Sequence, residues 1–344
     1  MTLWEGIGPL VDSAPSPEAL RFHRIHLFAA RHWRAQGRPV PEDFVEAERW
    51  AALTAMTAPL VLERVRAAYG EPVVLLKGPE AAACYPEETL RPFNDLDLLV
   101  RDPVEAQDAL LAAGFEPIGH ADLYVDIQHL RPLACPGLPL HVELHSRPKW
   151  PDRLEPPSSE QVLGHATPSS TGVEGVLAPQ PTEHALILAA HAWAHTPLRR
   201  LLDIVDVAAA ADGLDRGELD RLAREWRLER VWRTTIAAAD ALLMEGRRTV
   251  PIRTWARHLP AVREQTVLEA HLERLLSGYW ELPLPRALRA TVSAAGRGIR
   301  PVGGETWSRK LRRASRAARH AFQPMSTHDE ALGRDRLRAP RRKR

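Results

Sequence analysis

One stretch constrains this chain more than any other: Asn94-Asp95-Leu96-Asp97-Leu98-Leu99-Val100, downstream of Val73-Val74-Leu75-Leu76-Lys77-Gly78. Carboxylates alternate with apolar side chains at a period of two. A helix would spread that pattern around its axis, whereas a strand sorts it onto two faces. Asp95 and Asp97 then share one face, and Leu96, Leu98 and Val100 share the other. A second segment repeats the arrangement, with Leu140, Val142 and Leu144 on one side and His141, Glu143 and His145 on the other. If the two strands are neighbours, Glu143 projects onto the face of the aspartates.

Around these strands the signal is largely helical. Residues 16–69 carry apolar residues at three-to-four spacing, first through Leu20, His23, Leu27, Ala30 and Trp33 behind a Ser16-Pro17 start. Gly37 and Pro39 break that helix, and a second runs over 41–69. The spacing then predicts a strand at 73–76, a helix opening at Gly78-Pro79-Glu80, the strand within 91–100, and a helix over 103–113 stopped by Gly114. Further strands are expected at 115–118, 123–127 and 138–145. Residues 148–181 are rich in Pro, Ser, Thr and Gly and read as a connector or a loop over the site. From Thr182 the pattern is helical, with helices expected over 198–211 and 215–244. The expected fold is α+β, a small mixed sheet with flanking N-terminal helices and a C-terminal helical domain. Its expected parts are an N-terminal helical region (1–70), an α/β core (71–147), the connector (148–181), helices over 182–300, and a basic, disordered tail (301–344).

Composition excludes more than it selects. With 344 residues the chain can bury a sizeable core, and a net charge of +2 names no partner. Cys84 and Cys135 form no metal-binding spacing and no disulfide framework, which suits a reducing compartment. The first residues lack the basic and apolar regions of a signal peptide, and no apolar run approaches the roughly 20 residues that span a bilayer. A cytoplasmic protein with no membrane partner is expected. Basic segments at 309–319 and 334–344 are the one feature that would admit nucleic acid, which is not the favoured partner. Nothing in the sequence sets the oligomeric state.

The chemistry follows from the side chains. Two carboxylates two apart on a strand suit hard divalent cations, which take oxygen ligands and keep some waters. A pair of such cations stabilises the attacking and leaving oxygens of an in-line displacement. Glu143 would be a third ligand or the base for an acceptor hydroxyl. Gly78 lets backbone approach a phosphate, the following helix start favours anions, and Lys77 and Arg91 supply positive charge. His191 and His195, four apart, share a helical face, and Asp203 lies two turns on if that helix continues through Thr196-Pro197. No Glu follows His191 as a zinc protease requires, so lining an acceptor cleft with Arg200 and Asp203 is the better reading. Trp193 reads as core.

Leu75-Leu76-Lys77-Gly78, then Tyr85, then Arg91 with Asn94 to Val100, then Ala113-Gly114-Phe115, resembles the uncharacterised nucleotidyltransferase family of the polymerase-β-like superfamily. The match is good over 72–145 and weaker through His191, His195, Arg200 and Asp203. The resemblance implies a nucleotidyltransferase core with Asp95, Asp97 and Glu143 as metal-binding catalytic acids and Mg²⁺ or Mn²⁺ as cofactor. Lys77, Gly78, Arg91 and Asn94 would meet an NTP substrate, and His141, His145, His191, His195, Arg200 and Asp203 would line the cleft. Transfer of a nucleoside monophosphate to a small-molecule or peptide acceptor, with release of pyrophosphate, is the implied reaction. The superfamily has Gly-Ser or Gly-Gly at the turn where this chain has Lys77-Gly78. A silent nucleotide-binding regulator, or a toxin–antitoxin-type enzyme acting on protein or tRNA, are the alternatives.

Overall fold

In the computed structural model, residues 2–119, 129–194, 196–244, 246–301 and 305–325 are described. Four helices come first: α1 (Ile7–Ser13), α2 (Pro17–Phe22), α3 (His26–Ala35) and α4 (Glu42–Tyr69). Ser16 caps α2 as its position suggests, its side chain accepting from the Ala19 amide. The single helix expected through Trp33 is instead two. Arg24 takes a positive φ of 58°, and buried His23 turns its ring into the fold. His23 Nε2 donates to the Arg263 carbonyl at 2.8 Å, and its Nδ1 accepts from the Leu201 amide at 3.3 Å. Tertiary hydrogen bonds thus override local helical periodicity at that turn.

The sheet follows, with β1 (Val73–Leu75), α5 (Pro79–Ala82), β2 (Asp95–Leu99), α6 (Pro103–Ala112), β3 (Glu116–Pro117), β4 (Leu133–Ala134) and β5 (His141–His145). Then come α7 (Ser159–His165), β6 (Thr167–Pro168) and β7 (Val176–Ala178). The order is β3-β4-β5-β2-β1-β7-β6. The β2–β5 and β1–β7 pairs are parallel and the rest antiparallel. The stretch read as a connector therefore contributes β7 to the sheet, beside β1. Its short apolar run, Val176-Leu177-Ala178, is bounded by Gly175 and Pro179 and has little sequence signal of its own. The strand expected at 123–127 lies outside the described residues.

The remaining helices are α8 (Pro181–Ala194), α9 (Leu201–Ala210), α10 (Arg216–Glu225), α11 (Glu229–Leu243), α12 (Val250–Thr254), α13 (Val267–Leu276), α14 (Gly278–Glu281), α15 (Leu284–Ile299) and α16 (Trp307–Arg319). The chain does not continue as one helix past Thr196-Pro197, so Asp203 lies in the first turn of a new helix rather than extending the His191 face. The segment after 301, expected to be without structure, carries α16, while residues 326–344 lie outside the described ones.

The alternation of the strands divides the sheet between two cores. Val73, Leu75, Leu96, Leu98, Val100, Val142 and Leu144 pack with the second half of α4 (Ala58, Val61, Leu62, Val65) and with Ala106 and Leu110 of α6. Val74, Leu76 and Leu99 point the other way, into the larger core with α8, α9 and α11 and the N-terminal helices. Helix α4 serves both, since its Phe44 and Ala51 belong to the larger core. The acid-bearing face of the sheet is thus the face the helical half covers.

Candidate active site

Strands β2 and β5 lie parallel with Asp95 opposite His141, Asp97 opposite Glu143 and Leu99 opposite His145. Two donor groups result. Asp95, His141 and Glu143 bring ligand atoms within 4.8 Å of one another, and so do Asp97, Glu143 and His145. Glu143 belongs to both. The structure therefore brings the three acids of the sequence reading together, and adds two imidazoles that the same alternation carries.

The electrostatics are those of a crowded acidic face. His145 is buried, and its Nε2 lies 2.9 Å from Asp97 Oδ1 and 3.7 Å from Glu143 Oε2. Burial alone would raise the Asp97 carboxyl, but the hydrogen bond and charge of His145, with Lys77 and Lys149 nearby, hold it well below the usual carboxylate range. Glu143 goes the other way. Burial first, then the charges of Asp97 and Asp95, push it up to about 8. His129 Nε2 lies 3.6 Å from Glu143 Oε2, and its ring is tilted against that of His145, with centroids 5.1 Å apart. Burial lowers the pKa of His129.

These groups fit a divalent cation. The donor set is carboxylate oxygen and imidazole nitrogen at spacings a cation can close. His145 Nδ1 is buried and has no hydrogen-bond partner among the described residues. An acid pushed toward its neutral form by burial, and further by two neighbouring acids, marks a face short of positive charge.

Gly78 follows β1 with φ 69° and ψ −121°, a backbone region that side chains disfavour. A Cβ there would sit 3.2 Å from the Asp95 carbonyl, so the turn presses directly on the start of β2. Next to it, Lys77 reaches across to the helical half, its Nζ 3.2 Å from His191 Nδ1 on α8. Burial lowers the Lys77 pKa, opposed chiefly by the charge of Asp203. A narrow crevice between sheet and helices is lined by Leu76, Lys77, Asp97, His145, Lys149, Ile187, Leu188 and His191. His191 and Asp97 therefore share one crevice, and Asp203 bears on it through Lys77. His195 lies outside the described residues. Arg200 precedes α9 and bears instead on His23, whose low pKa its charge helps to depress. Asn94 is exposed, and its Oδ1 accepts from Trp50 Nε1 at 2.9 Å.

Arg91 is not on the acidic face in the way the sequence suggests. Its guanidinium is buried and forks onto Asp206 of α9, with Nε to Oδ1 at 2.8 Å and Nη2 to Oδ2 at 3.0 Å. Nη1 donates to the Gly78 carbonyl at 3.3 Å, and the Tyr85 hydroxyl donates to Asp206 Oδ1 at 2.6 Å. A bidentate partner occupies the fork that a phosphate would take. Arg91 therefore ties the Gly78 turn to the helical half.

Two residues of the site escaped the sequence reading. Asp206 stands within the apolar run of α9 as a buried acid, and an acid in such a run needs a partner. Lys149 follows β5 in the loop. Its signal was compositional: the chain has only four lysines against a large excess of arginine, and two of the four, Lys77 and Lys149, line this crevice.

No curated protein and no solved structure matches the chain. A family model described as an uncharacterised nucleotidyltransferase matches residues 18–244, a span running from α2 to the end of α11. That span is about two-thirds of the sequence and includes both the acid-bearing sheet and the helices laid over it. The chain belongs to the uncharacterised nucleotidyltransferase family.

Proposed function

We propose that this protein is a divalent-metal-dependent nucleotidyltransferase that moves a nucleoside monophosphate from an NTP to a hydroxyl or phosphate acceptor. The observation that carries the reading is the in-register pairing of Asp97 with Glu143 and of Asp95 with His141 on adjacent parallel strands. In the reaction the acceptor oxygen bonds to the α-phosphorus, a hydroxyl acceptor giving its proton to solvent water, the bond from the α-phosphorus to the α,β-bridging oxygen breaks, and pyrophosphate leaves with that electron pair. Bound Mg²⁺ or Mn²⁺ would neutralise the phosphate oxygens and polarise the reacting centre.

The chain's own residues do the rest. Asp95, Asp97 and Glu143 would hold the cations, with Glu143 common to both donor groups. His145 fixes Asp97 by its 2.9 Å contact, so that one oxygen is held and the other is presented. Lys77 and Lys149 stand on the crevice as the cations available to the triphosphate, the role the sequence assigned to Lys77 and Arg91. Gly78 and Asn94 frame the approach to β2, and His141, His191 and Asp203 line the acceptor side with His145. A small molecule or a peptide end fits such a crevice better than a folded macromolecule.

The reading predicts saturable binding of ATP or GTP that strengthens with Mg²⁺ or Mn²⁺. It also predicts a nucleotide-sized mass added to one member of a metabolite or peptide pool. Two features favour a silent, nucleotide-binding member as the second reading. Lys77 is engaged with His191, and the gap between sheet and helices is narrow. Binding without pyrophosphate release in the presence of that pool would decide for it.

A further inference from the structure

The last two long helices among the described residues lie beyond the family's matched span. Helix α16, Trp307–Arg319, has no buried residue. Trp307, Leu311, Ala314 and Ala318 recur at three-to-four spacing and form one stripe, and all four are exposed, Trp307 at 59% and Leu311 at 66%. Arg309, Lys310, Arg312, Arg313, Arg316 and Arg319 occupy the remaining circumference, with no acid in the helix. Phe322, just past its end, is 77% exposed. The chain that follows is pinned back by the Val267 amide bonding to the Gln323 carbonyl and the Met325 amide to the Gln265 carbonyl. The helix is thus held at its C-terminal end while its apolar stripe faces water.

Helix α15 repeats the design. It packs through buried Ala287, and Thr291 bonds to the Leu275 carbonyl at 3.1 Å. Leu284, Leu288, Val292 and Ile299 remain exposed along it. From 284 to 323 the sequence has ten Lys or Arg and one acid, Glu305. Glu305 is already paired with Arg313, at 3.0 and 2.9 Å. A 13-residue helix with no buried side chain is marginal in water unless its apolar stripe finds a partner.

We infer that α15 and α16 form a membrane-surface anchor that lays Leu284, Leu288, Val292, Trp307, Leu311 and Phe322 into the interface of an anionic lipid bilayer. Charge complementarity selects the occupant, because ten cations against one acid attract anionic headgroups. The outward apolar stripes separate a bilayer from nucleic acid, since phosphate backbones reward the arginines but leave Trp307, Leu311 and Phe322 in water. Among the described residues no helix is long and apolar enough to cross a membrane, and lying on one requires no such helix. The protein would then carry out its chemistry at a membrane face, a departure from the expectation of no membrane partner.

The test is sedimentation of the full chain with vesicles of phosphatidylcholine alone and of phosphatidylcholine with about one-third phosphatidylglycerol. The paired variant Trp307→Ser with Leu311→Ser keeps every charge and touches no buried residue. The expected result is binding to the anionic vesicles at least about tenfold tighter than to the neutral ones, weakened about tenfold or more in the paired variant. Absence of binding to anionic vesicles overturns the proposal. So does equal binding by the paired variant, which would make the surface a general polyanion site of the kind nucleic acid uses. A dimer that the paired variant dissociates, without vesicle binding, would make the stripes an interface between copies and overturn it equally.

Discussion

Arg91 and Asp206 stand 115 positions apart and meet as a buried fork, with Tyr85 completing the carboxylate's hydrogen bonds. Removing one member of such a pair strands the other charge in a dry interior, and that loss exceeds the net worth of the pair itself. Asp206→Asn is therefore expected to destabilise the fold by about 3–5 kcal/mol in urea unfolding. Arg91→Met combined with Asp206→Leu should lose less than the two single changes together. A double change as costly as the sum would show that the two residues act independently. Gly78 is the second sensitive residue. Gly78→Ala places a Cβ 3.2 Å from the Asp95 carbonyl at positive φ, so a loss of about 1–3 kcal/mol is expected, read as a lowered melting temperature. An unchanged melting temperature would mean the turn relaxes freely. The sequence showed Gly78 because a glycine after a strand announces itself locally. It did not show the Asp206 partner of Arg91, because that partner arrives only with the tertiary fold.

At the scale of elements, β2 and β5 were legible because a two-residue alternation of acid or imidazole with Leu or Val has one structural solution. The helix break at His23 was not legible, since its cause is a pair of hydrogen bonds to residues near 200 and 263. The same histidine gives the fold a pH dependence. Burial lowers His23 to about 3 and His258, stacked on it with centroids 5.9 Å apart, to about 4. Burial likewise lowers His184, which bonds the Leu76 carbonyl, to about 4. Each folded-state value lies below the ordinary 6.5, so acidification protonates the unfolded chain first. Their stabilisation is present above pH 6.5 and is lost as pH falls from 6.5 toward 4. Denaturant midpoints should drop across that window by the equivalent of a few kcal/mol, and His23→Gln should flatten the slope. A stability flat from pH 6.5 to 4 would contradict the buried neutral histidines.

At the scale of the molecule, one sheet serves two cores. Its fully apolar face rests on α4 and α6, and its mixed face meets the helical half, so the acids lie where the two halves join. The order of the periodicities conveyed a mixed sheet with helices before and after it, but not the division of that sheet between two cores. It did not convey β7, a three-residue strand within a Pro- and Ser-rich stretch, because so short a run pairs only when β1 offers it an edge. Nor did it convey α16, whose charge resembles a solvated tail until its apolar stripe is seen at helical spacing. Nucleotide transfer on the face shared by β2 and β5 is measured as pyrophosphate released from NTPs with Mg²⁺ or Mn²⁺ and an acceptor pool, for the native chain and for Asp97→Asn. That substitution removes a charge and almost no volume. Metal-dependent release by the native chain, reduced at least about a hundredfold in a folded Asp97→Asn protein, is the predicted result. Equal release by both proteins would contradict the account.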